Sequence, residues 1–378
     1  QGRSRLGRDR RKQGRSRLPT PTYLGGAGKT VCGVDTVSLS ADRRFAVKRT
    51  RAAPTHRAMT TAGLGHLHGI TGETYPPDEQ GHYRRRYEWT ALGSEWRLTL
   101  TIPKSLTEYY DARARKEDRV PFVVDPYHEE EVSFIANEIE RLGEQAGHSE
   151  AETVAMATAF VQQLPYTKND VTAGMTQYTH YPLQTLVNRG GDCEDASILL
   201  AAVLRELGYG CVLLGLFDAE HMALGIKGDS GLSGAYYEFD GNRYYYLETT
   251  DPQWGIGEVP PSVRDTTAEI QPVVPRPTLV YGWGTGVESS GDVVVNAAVR
   301  NVGNARADDL SFYAAFEGDG ERVYADGETR LGSLGADSGT TATVTLRPPD
   351  GKRLRLATAV LVDDDVHDFD RSEWRRPV

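Results

Sequence analysis

Residues 193–217 constrain the fold of this chain more than any other stretch. From Ala196 onward, apolar residues recur at the spacing of one face of an α-helix, and Gly208 follows as a stop signal. A continuous apolar run, 211–217, comes directly afterwards and predicts a buried central strand. A helix followed at once by a buried strand indicates a domain in which helices pack on a sheet.

Further strands are predicted after this run. The segment 221–226 continues the strand pattern, and Asp240-Gly241 predicts a hairpin turn between strands at 236–239 and 243–248. Because no helical pattern separates these strands, they are predicted to form an antiparallel sheet. The fold class is therefore predicted to be α+β in this part of the chain.

The residues before the helix at 193 also carry secondary-structure signals. Residues 84–103 alternate apolar and polar positions around a turn at Gly93, which predicts a β-hairpin. Apolar residues at helical spacing then predict two helices, one at 129–143 and one at 150–163.

Composition divides the chain into four predicted regions. A proline-rich linker, 260–277, separates the α+β part from a tail of short alternating runs broken by Gly and Asp, the pattern of a small β-sandwich. The regions are a basic and disordered tail, a β-rich N-terminal segment, the α+β domain and an all-β sandwich, at 1–60, 61–125, 126–272 and 277–378.

Charge is distributed unevenly along the chain. Residues 1–60 hold 15 Lys and Arg against 3 Asp, which is a charge of +12, so the rest carries −22 of the total of −10. An acidic core argues against nucleic acid as its partner. The basic tail admits two interpretations, RNA contact or sequence upstream of a start at Met59, and the second is favoured.

The sequence argues against two further functions, nucleotide binding and membrane spanning. Residues 25–30, Gly-Gly-Ala-Gly-Lys-Thr, resemble the end of a phosphate-binding loop, but Tyr23 occupies the position that needs the first glycine, so no nucleotide site is expected. No run of 18 apolar residues and no signal-peptide pattern occurs, so no membrane span is expected and the compartment stays unassigned.

The cysteines are three in number and widely spaced, which excludes both a disulfide framework and a CxxC metal site. Cys193 stands at a helix start, after two glycines that permit unusual backbone angles and after Asp192, a good N-cap. Free N–H groups there favour negative charge on sulfur, whereas Asp192, Glu194 and Asp195 oppose it. We expect Asp195 to be engaged in holding the loop. Cys193 lies three residues before Ala196, and this helical spacing places Cys193 on the buried face.

A reactive thiol needs a base and a group that orients the base. His221 begins one predicted strand with small residues on its own face, and Glu248 ends a later strand. Each residue alone is commonly structural: His221 could cap a strand, Glu248 could be solvated and Cys193 could be an inert buried thiol. The three together, on helix, strand and strand, indicate a catalytic triad.

Four motifs carry a family resemblance over roughly residues 126–260. They are Gly-Gly-Asp-Cys-Glu-Asp, Leu-x-x-x-Leu-Arg-x-x-Gly-Tyr, His-Met-Ala-Leu-Gly and Tyr-Tyr-Tyr-Leu-Glu-Thr-Thr, at 190–195, 200–209, 221–225 and 244–250. The chain resembles the transglutaminase-like superfamily in its prokaryotic, cysteine-peptidase-like branch. The resemblance implies a papain-like core and thiol-dependent acyl transfer on a protein or peptide substrate, without cofactor or metal.

The resemblance assigns a nucleophile and a base but leaves other roles open. Cys193 and His221 match the family directly, whereas the family more often has Asp where this chain has Glu248, and Asp251 lies three residues further on. Glu248 is preferred because it ends the strand. The Cys193 N–H is the expected oxyanion donor, and a second donor could come from one of three residues: Gln184, Tyr166 or Tyr181.

The tail has a resemblance of its own. Segments 299–305, 331–334 and 362–373 are similar to bacterial Ig-like modules of the CARDB type, which bind or space and do not catalyse. The acids at 363–370 lack the spacing of a calcium loop and are expected to form a solvated edge. The alternative function is a catalytically silent transglutaminase-like scaffold whose Ig-like module binds a protein or surface partner.

Overall fold

The structure is a computed structural model that describes residues 81–375 apart from 114, 116–117, 168–177, 230 and 265. The basic tail and the loop-like motif at 25–30 lie outside these residues. The described part contains both helices and antiparallel sheets, which confirms the α+β class.

The predicted β-hairpin is present as strands β1 (His82–Ala91) and β2 (Ser94–Pro103). Its two-residue turn has positive φ angles at Leu92 (53°) and Gly93 (76°), as a tight hairpin with right-handed twist requires. Buried and exposed residues alternate along both strands, so one face packs inward.

Six α-helices lie in the described part. They are α1 (Lys104–Ala112), α2 (Val120–Val123), α3 (Glu129–Ala146), α4 (Glu150–Gln162), α5 (Pro182–Asn188) and α6 (Cys193–Glu206). Helices α3, α4 and α6 agree with the predicted helices. Helices α1, α2 and α5 were not predicted. Each has nine residues or fewer, which is too short for a helical pattern of apolar residues to repeat several times.

Helix α6 carries the longest buried face, with every residue from 195 to 204 buried. It lies at the centre of the main apolar cluster, to which the hairpin, α3, α4 and α6 all contribute. The segment before 126 therefore shares one core with the helices after it. The predicted domain boundaries themselves stay predictions.

A five-stranded sheet packs against α6. Its strands are β3 (Cys211–Leu216), β4 (His221–Gly228), β5 (Tyr236–Phe239), β6 (Asn242–Leu247) and β7 (Glu269–Pro272). Their order is β5-β6-β4-β3-β7 and every neighbouring pair is antiparallel, as predicted. Strand β4, which begins at His221, is the central strand of the sheet.

The prediction that residues 260–277 form a linker is wrong for Glu269–Pro272. Strand β7 lies there and pairs with β3, with Ile270 opposite Leu214. Only four residues long and ended by Pro272, it is an edge strand that needs no long alternating pattern. Its pairing with a buried neighbour, rather than its own sequence, makes it a strand.

The C-terminal part consists of two antiparallel sheets. Its strands are β8 (Leu279–Val287), β9 (Val293–Asn301), β10 (Ala307–Gly318), β11 (Arg322–Leu334), β12 (Gly339–Leu346), β13 (Arg355–Val362) and β14 (Asp365–Arg371). The orders are β12-β9-β8 and β11-β10-β13-β14. Both sheets contribute to one apolar cluster, so they pack on each other. The Ig-like assignment stays a prediction.

The acids at 363–370 are not simply a solvated edge, contrary to the sequence expectation. Asp363 and Asp364 form the tight turn before β14, with positive φ angles of 53° and 65°. Asp368 forms a buried ion pair with Arg113, which follows α1, at 2.8 Å. The acidic segment thus joins the C-terminal part to the helical domain.

Candidate active site

The turn before Cys193 needs two glycines for space rather than for backbone angle. Neither Gly190 nor Gly191 has a positive φ angle, which corrects the sequence expectation. A Cβ atom on Gly190 would lie 2.3 Å from the carbonyl oxygen of Pro165, and one on Gly191 would lie 2.5 Å from the Cβ of Asp195. The left-handed residue of this turn is Arg189, with φ 58°.

These close approaches allow the segment 165–167 to pair with the turn. The N–H of Thr167 donates to the carbonyl of Gly191 at 2.9 Å, and the N–H of Gly191 donates to the carbonyl of Pro165 at 3.3 Å. These two backbone hydrogen bonds hold the turn in place, so helix α6 starts from a defined position.

A capping box holds the first turn of α6. The Asp192 carboxylate accepts from the N–H groups of Glu194 (3.0 Å) and Asp195 (3.2 Å), and the Asp195 carboxylate accepts from the N–H of Asp192 at 3.2 Å. The N–H of Cys193 is not one of the two capped by Asp192. Burial and the charge of Asp195 raise the pKa of Asp192 to about 6.

Cys193 itself is partly exposed, although its helical spacing predicted the buried face. It is the first residue of α6 and precedes the buried stretch of that helix, which begins at Asp195. Its thiol is therefore accessible, whereas the thiol of Cys211 is buried, which raises the pKa of Cys211 to about 12.

The other two acids near the thiol have their own partners. Glu194 forms an ion pair with Arg119 at 2.7 Å and accepts from the Thr179 hydroxyl at 2.5 Å. Asp195 is fully buried and accepts from both the backbone N–H and Nδ1 of His180, each at 2.7 Å. As expected from the sequence, Asp195 holds the neighbouring loop. These partners offset the negative charge around the sulfur.

His221 lies between a thiol and a buried carboxylate. Its Nε2 is 3.1 Å from Oε2 of Glu248. The side chain of Cys193 is near enough to the ring to help raise its pKa. Because Glu248 occupies Nε2, Nδ1 is the ring nitrogen left for the sulfur. The structure thus brings together the three side chains that the sequence nominated.

Glu248 is only 2% exposed and accepts hydrogen bonds on both oxygens. Oε2 accepts from the Tyr246 hydroxyl at 2.7 Å, in addition to His221. Oε1 accepts from the N–H groups of Thr249 (3.0 Å) and Thr250 (3.1 Å) and from the Thr250 hydroxyl (2.7 Å). A carboxylate with five donors is held rigidly in its ionised form.

The pKa values of His221 and Glu248 shift in opposite directions. Burial lowers the pKa of His221, but the hydrogen bonds and charges of Cys193 and Glu248 outweigh it and raise the pKa from 6.5 to about 9. For Glu248, burial raises the pKa, but His221 and the hydroxyl donors outweigh it and lower the pKa from 4.5 to about 2. An imidazolium beside a carboxylate is thus the stable pair at neutral pH.

Sheet register explains why His221 and Glu248 meet. Strands β4 and β6 pair with Leu224 opposite Leu247, and continuing this register puts Glu248 on the face that carries His221. Gly225 on that face is needed for close packing, since a Cβ atom there would lie 2.7 Å from Val212. The predicted arrangement of adjacent strands with small neighbours is therefore present.

Asp251, the alternative third residue, faces away from His221. Its carboxylate accepts from the N–H of Gln253 at 3.0 Å and from Nε1 of Trp254 at 3.3 Å, both within its own turn. The carboxylate beside the imidazole is that of Glu248.

The three candidate oxyanion donors differ in availability. Gln184 donates from Nε2 to Asp111 at 2.6 Å, and Tyr181 is buried and stacked on Tyr110 with ring centroids 4.2 Å apart. Tyr166 is 53% exposed and lines a small cavity together with Gly191 and Thr250. Of the three, Tyr166 alone lines this cavity next to the turn that precedes Cys193.

Sequence reasoning missed several residues around the site. They are Arg119, Gln162, His180 and Ser197. Gln162 of α4 donates from Nε2 to the backbone carbonyl of Glu248 at 2.9 Å. No local pattern marks such residues, because each contacts an element far away along the chain. The repeated Tyr-Tyr-Tyr before Glu248 was the one available signal for the Tyr246 hydroxyl.

Other kinds of site find no support among the described residues. No group of three or more His, Cys, Asp or Glu side chains is arranged to hold a metal ion there. Within the same residues, no helix has both the length and the apolar character needed to cross a membrane.

Comparison with known proteins gave structural matches only. No protein-family model and no curated protein matched the sequence. Solved structures similar to the chain include calcium-bound LapG of Legionella pneumophila, at 15% identity and a TM-score of 0.22 over 39% of this chain and 82% of LapG. Red sea bream transglutaminase matches at 10% identity and a TM-score of 0.21, over 73% and 60% of the two chains.

A third match has different chemistry. DesR, a β-glucosidase of Streptomyces venezuelae, matches at 14% identity and a TM-score of 0.19 over 25% of this chain and 15% of DesR. The chain thus spans less than two thirds of DesR and of the sea bream enzyme.

Proposed function

We propose that this protein is a cysteine-dependent acyl transferase that acts on amide or peptide bonds and transfers the acyl group to water, as a peptidase or amidase does. One observation carries the proposal. His221 lies 3.1 Å from the buried, fully hydrogen-bonded carboxylate of Glu248, and the partly exposed thiol of Cys193 is near enough to raise the pKa of its ring. A nucleophile, a base and a group that orients the base are the parts that thiol catalysis requires.

At the start of the reaction, the proton of the Cys193 thiol resides on His221, and the thiolate sulfur forms a bond to the carbonyl carbon of the substrate. Negative charge then develops on the carbonyl oxygen, where the N–H of Cys193 donates a hydrogen bond. The imidazolium gives its proton to the leaving nitrogen as the carbon–nitrogen bond breaks. A thioester on Cys193 and a free amine result.

In the second half, His221 takes a proton from water, and the resulting hydroxide attacks the thioester carbonyl. The carbon–sulfur bond breaks, the acid product leaves, and the thiolate of Cys193 is restored beside the protonated His221. Glu248 transfers no proton in either half. It holds the imidazole with Nε2 toward itself and stabilises the positive charge on His221.

The C-terminal part enters the proposal as a binding or spacing module for a protein or surface partner. Its two packed sheets contribute no side chain to the described contacts of Cys193, His221 and Glu248. Its proposed role is therefore to position the catalytic domain relative to that partner, not to take part in the chemistry.

Profiling against a peptide library tests the proposed function. The wild-type chain is expected to cleave a subset of peptides, Cys193→Ala to cleave none of them, and Cys211→Ala to match the wild type because that thiol is buried. Cleavage that survives Cys193→Ala contradicts the mechanism. Absence of cleavage by all three proteins favours the catalytically silent scaffold.

A further inference from the structure

Ser197 lies beneath the candidate active site and contacts two of its elements at once. It is fully buried in α6, four residues after Cys193 and on the same helix face. Its hydroxyl is 3.3 Å from the backbone carbonyl oxygen of Met222, which follows His221. The same oxygen is 3.0 Å from the hydroxyl of Thr249, which follows Glu248.

Both contacts can be made together. A serine hydroxyl has one proton to donate and lone pairs to accept, so Ser197 donates to Met222 while the Thr249 hydroxyl donates to Ser197. Ser197 and Thr249 are 0% exposed, so no water competes for these bonds. Hydrogen bonds in such surroundings are strong, and breaking them leaves buried polar groups unpaired.

The usual role of a buried hydroxyl in a helix is different, and this chain contains an example. Thr158 of α4 is also buried, and its hydroxyl donates to the carbonyl of Val154 in its own helix at 2.8 Å. That bond connects nothing beyond α4. The bonds of Ser197 instead leave α6 and reach the two strands that bear His221 and Glu248.

We propose that Ser197 is a positioning residue that holds α6, β4 and the end of β6 at the separation in which His221 lies between Cys193 and Glu248. This inference rests on the proposed function, because it assigns Ser197 a task within the same site. Ser197 touches no reacting atom. It acts through the backbone next to His221 and through Thr249 next to Glu248.

The strand end has a second support, which makes the inference testable in folded protein. Gln162 donates to the backbone carbonyls of Glu248 (2.9 Å) and Trp254 (3.1 Å) from the side of α4. Losing the Ser197 hydroxyl therefore loosens the site without removing every bond that holds the strand end in place.

The test measures the His221 pKa by NMR titration together with the alkylation rate of Cys193 in four variants. Ser197→Ala and Thr249→Val remove the bridging hydroxyls. We expect the pKa of His221 to fall from about 9 toward 6.5 by roughly one unit, and the rate to fall up to about tenfold. Thr249→Ser keeps a hydroxyl and should retain the wild-type values.

Thr158→Val is the matched control, since it removes a buried hydroxyl from a helix without touching the site. It should lower the melting temperature while leaving the pKa of His221 and the alkylation of Cys193 unchanged. Wild-type pKa values in both Ser197→Ala and Thr249→Val overturn the inference. If Ser197→Ala does not fold, the comparison of Thr249→Val with Thr249→Ser tests the inference instead. A His221 pKa that is equal in these two variants overturns it.

The two readouts also separate this inference from the proposed function. If Cys193 of the wild type is unreactive but the pKa of His221 depends on Ser197, the positioning role stands and the proposed function fails. If Cys193 is reactive and neither readout responds to Ser197 or Thr249, the proposed function stands and the positioning role fails.

Discussion

At the scale of single residues, the site depends on one buried carboxylate. Glu248 is nearly inaccessible to water, yet three backbone or hydroxyl groups donate to one oxygen and Tyr246 and His221 bond the other. These donors replace the water that burial removes, so the carboxylate keeps its charge. Together with the side chain of Cys193, that charge makes a positively charged His221 stable at neutral pH.

This pairing predicts a dependence of stability on pH. The pKa of His221 is raised from 6.5 to about 9, so the pair stabilises the fold fully below pH 6.5, and this contribution is lost as pH rises through 9. The free energy of unfolding should fall across that window by roughly 2 to 3 kcal/mol more in the wild type than in Glu248→Gln. Denaturant titrations from pH 6 to 10 measure it; parallel curves for the two proteins would argue against the pair.

At the scale of elements, the Gly-Gly turn joins helix α6 to the segment 165–167. Its glycines are needed because neighbouring atoms approach too closely for any side chain, and not because the backbone is left-handed. The pattern Gly-Gly-Asp-Cys correctly indicated a helix start at a tight turn. It could not indicate close approach to Pro165, because that contact exists only after the chain has folded back.

A substitution in this turn should be costly. In Gly190→Ala the new Cβ atom would lie 2.3 Å from a backbone carbonyl oxygen, which cannot move aside as a side chain could. We expect a loss of about 2 to 4 kcal/mol in the free energy of unfolding. Gly231→Ala is the control, because nothing lies within 4 Å of its Cβ position and its φ angle is not positive. Equal stability of the two variants would show that the turn tolerates a side chain.

How well an element could be predicted depended on its length and periodicity. Helix α6 and the strands from β3 to β6 were predicted because their apolar patterns run long enough to distinguish helix from strand. Strand β7 and the short helices were missed, because contacts with neighbouring elements stabilise them. The contacts of His221 with Glu248 followed from strand pairing, whereas Arg119 and Ser197 reach the site through folding that no local pattern specifies.

At the scale of the whole molecule, an ion pair connects the helical domain with the C-terminal sheets. Arg113 and Asp368 are 2.8 Å apart, with side chains only 7% and 15% exposed. Arg113 also donates to the backbone carbonyl of Leu279 at 3.1 Å, where the C-terminal part begins. The proline-rich segment between the two parts is therefore not a free tether.

Removing one member of this pair leaves the other charge buried and unpaired. We expect Asp368→Ala to lower the free energy of unfolding by about 3 kcal/mol, measured by chemical denaturation. The exposed pair of Arg306 and Asp308 provides the control, and Arg306→Gln should leave stability unchanged. An Asp368→Ala protein as stable as Arg306→Gln would mean that the two parts are not fastened at this point.

The reactivity of Cys193 is the most direct test of the proposed triad. Labelling with iodoacetamide at neutral pH, followed site by site by mass spectrometry, compares Cys193 with the buried Cys211 as internal reference. In the wild type Cys193 is predicted to react first, and His221→Ala should slow it by roughly tenfold or more while Cys211 is unaffected. Equal labelling of Cys193 in the wild type and in His221→Ala would contradict the triad.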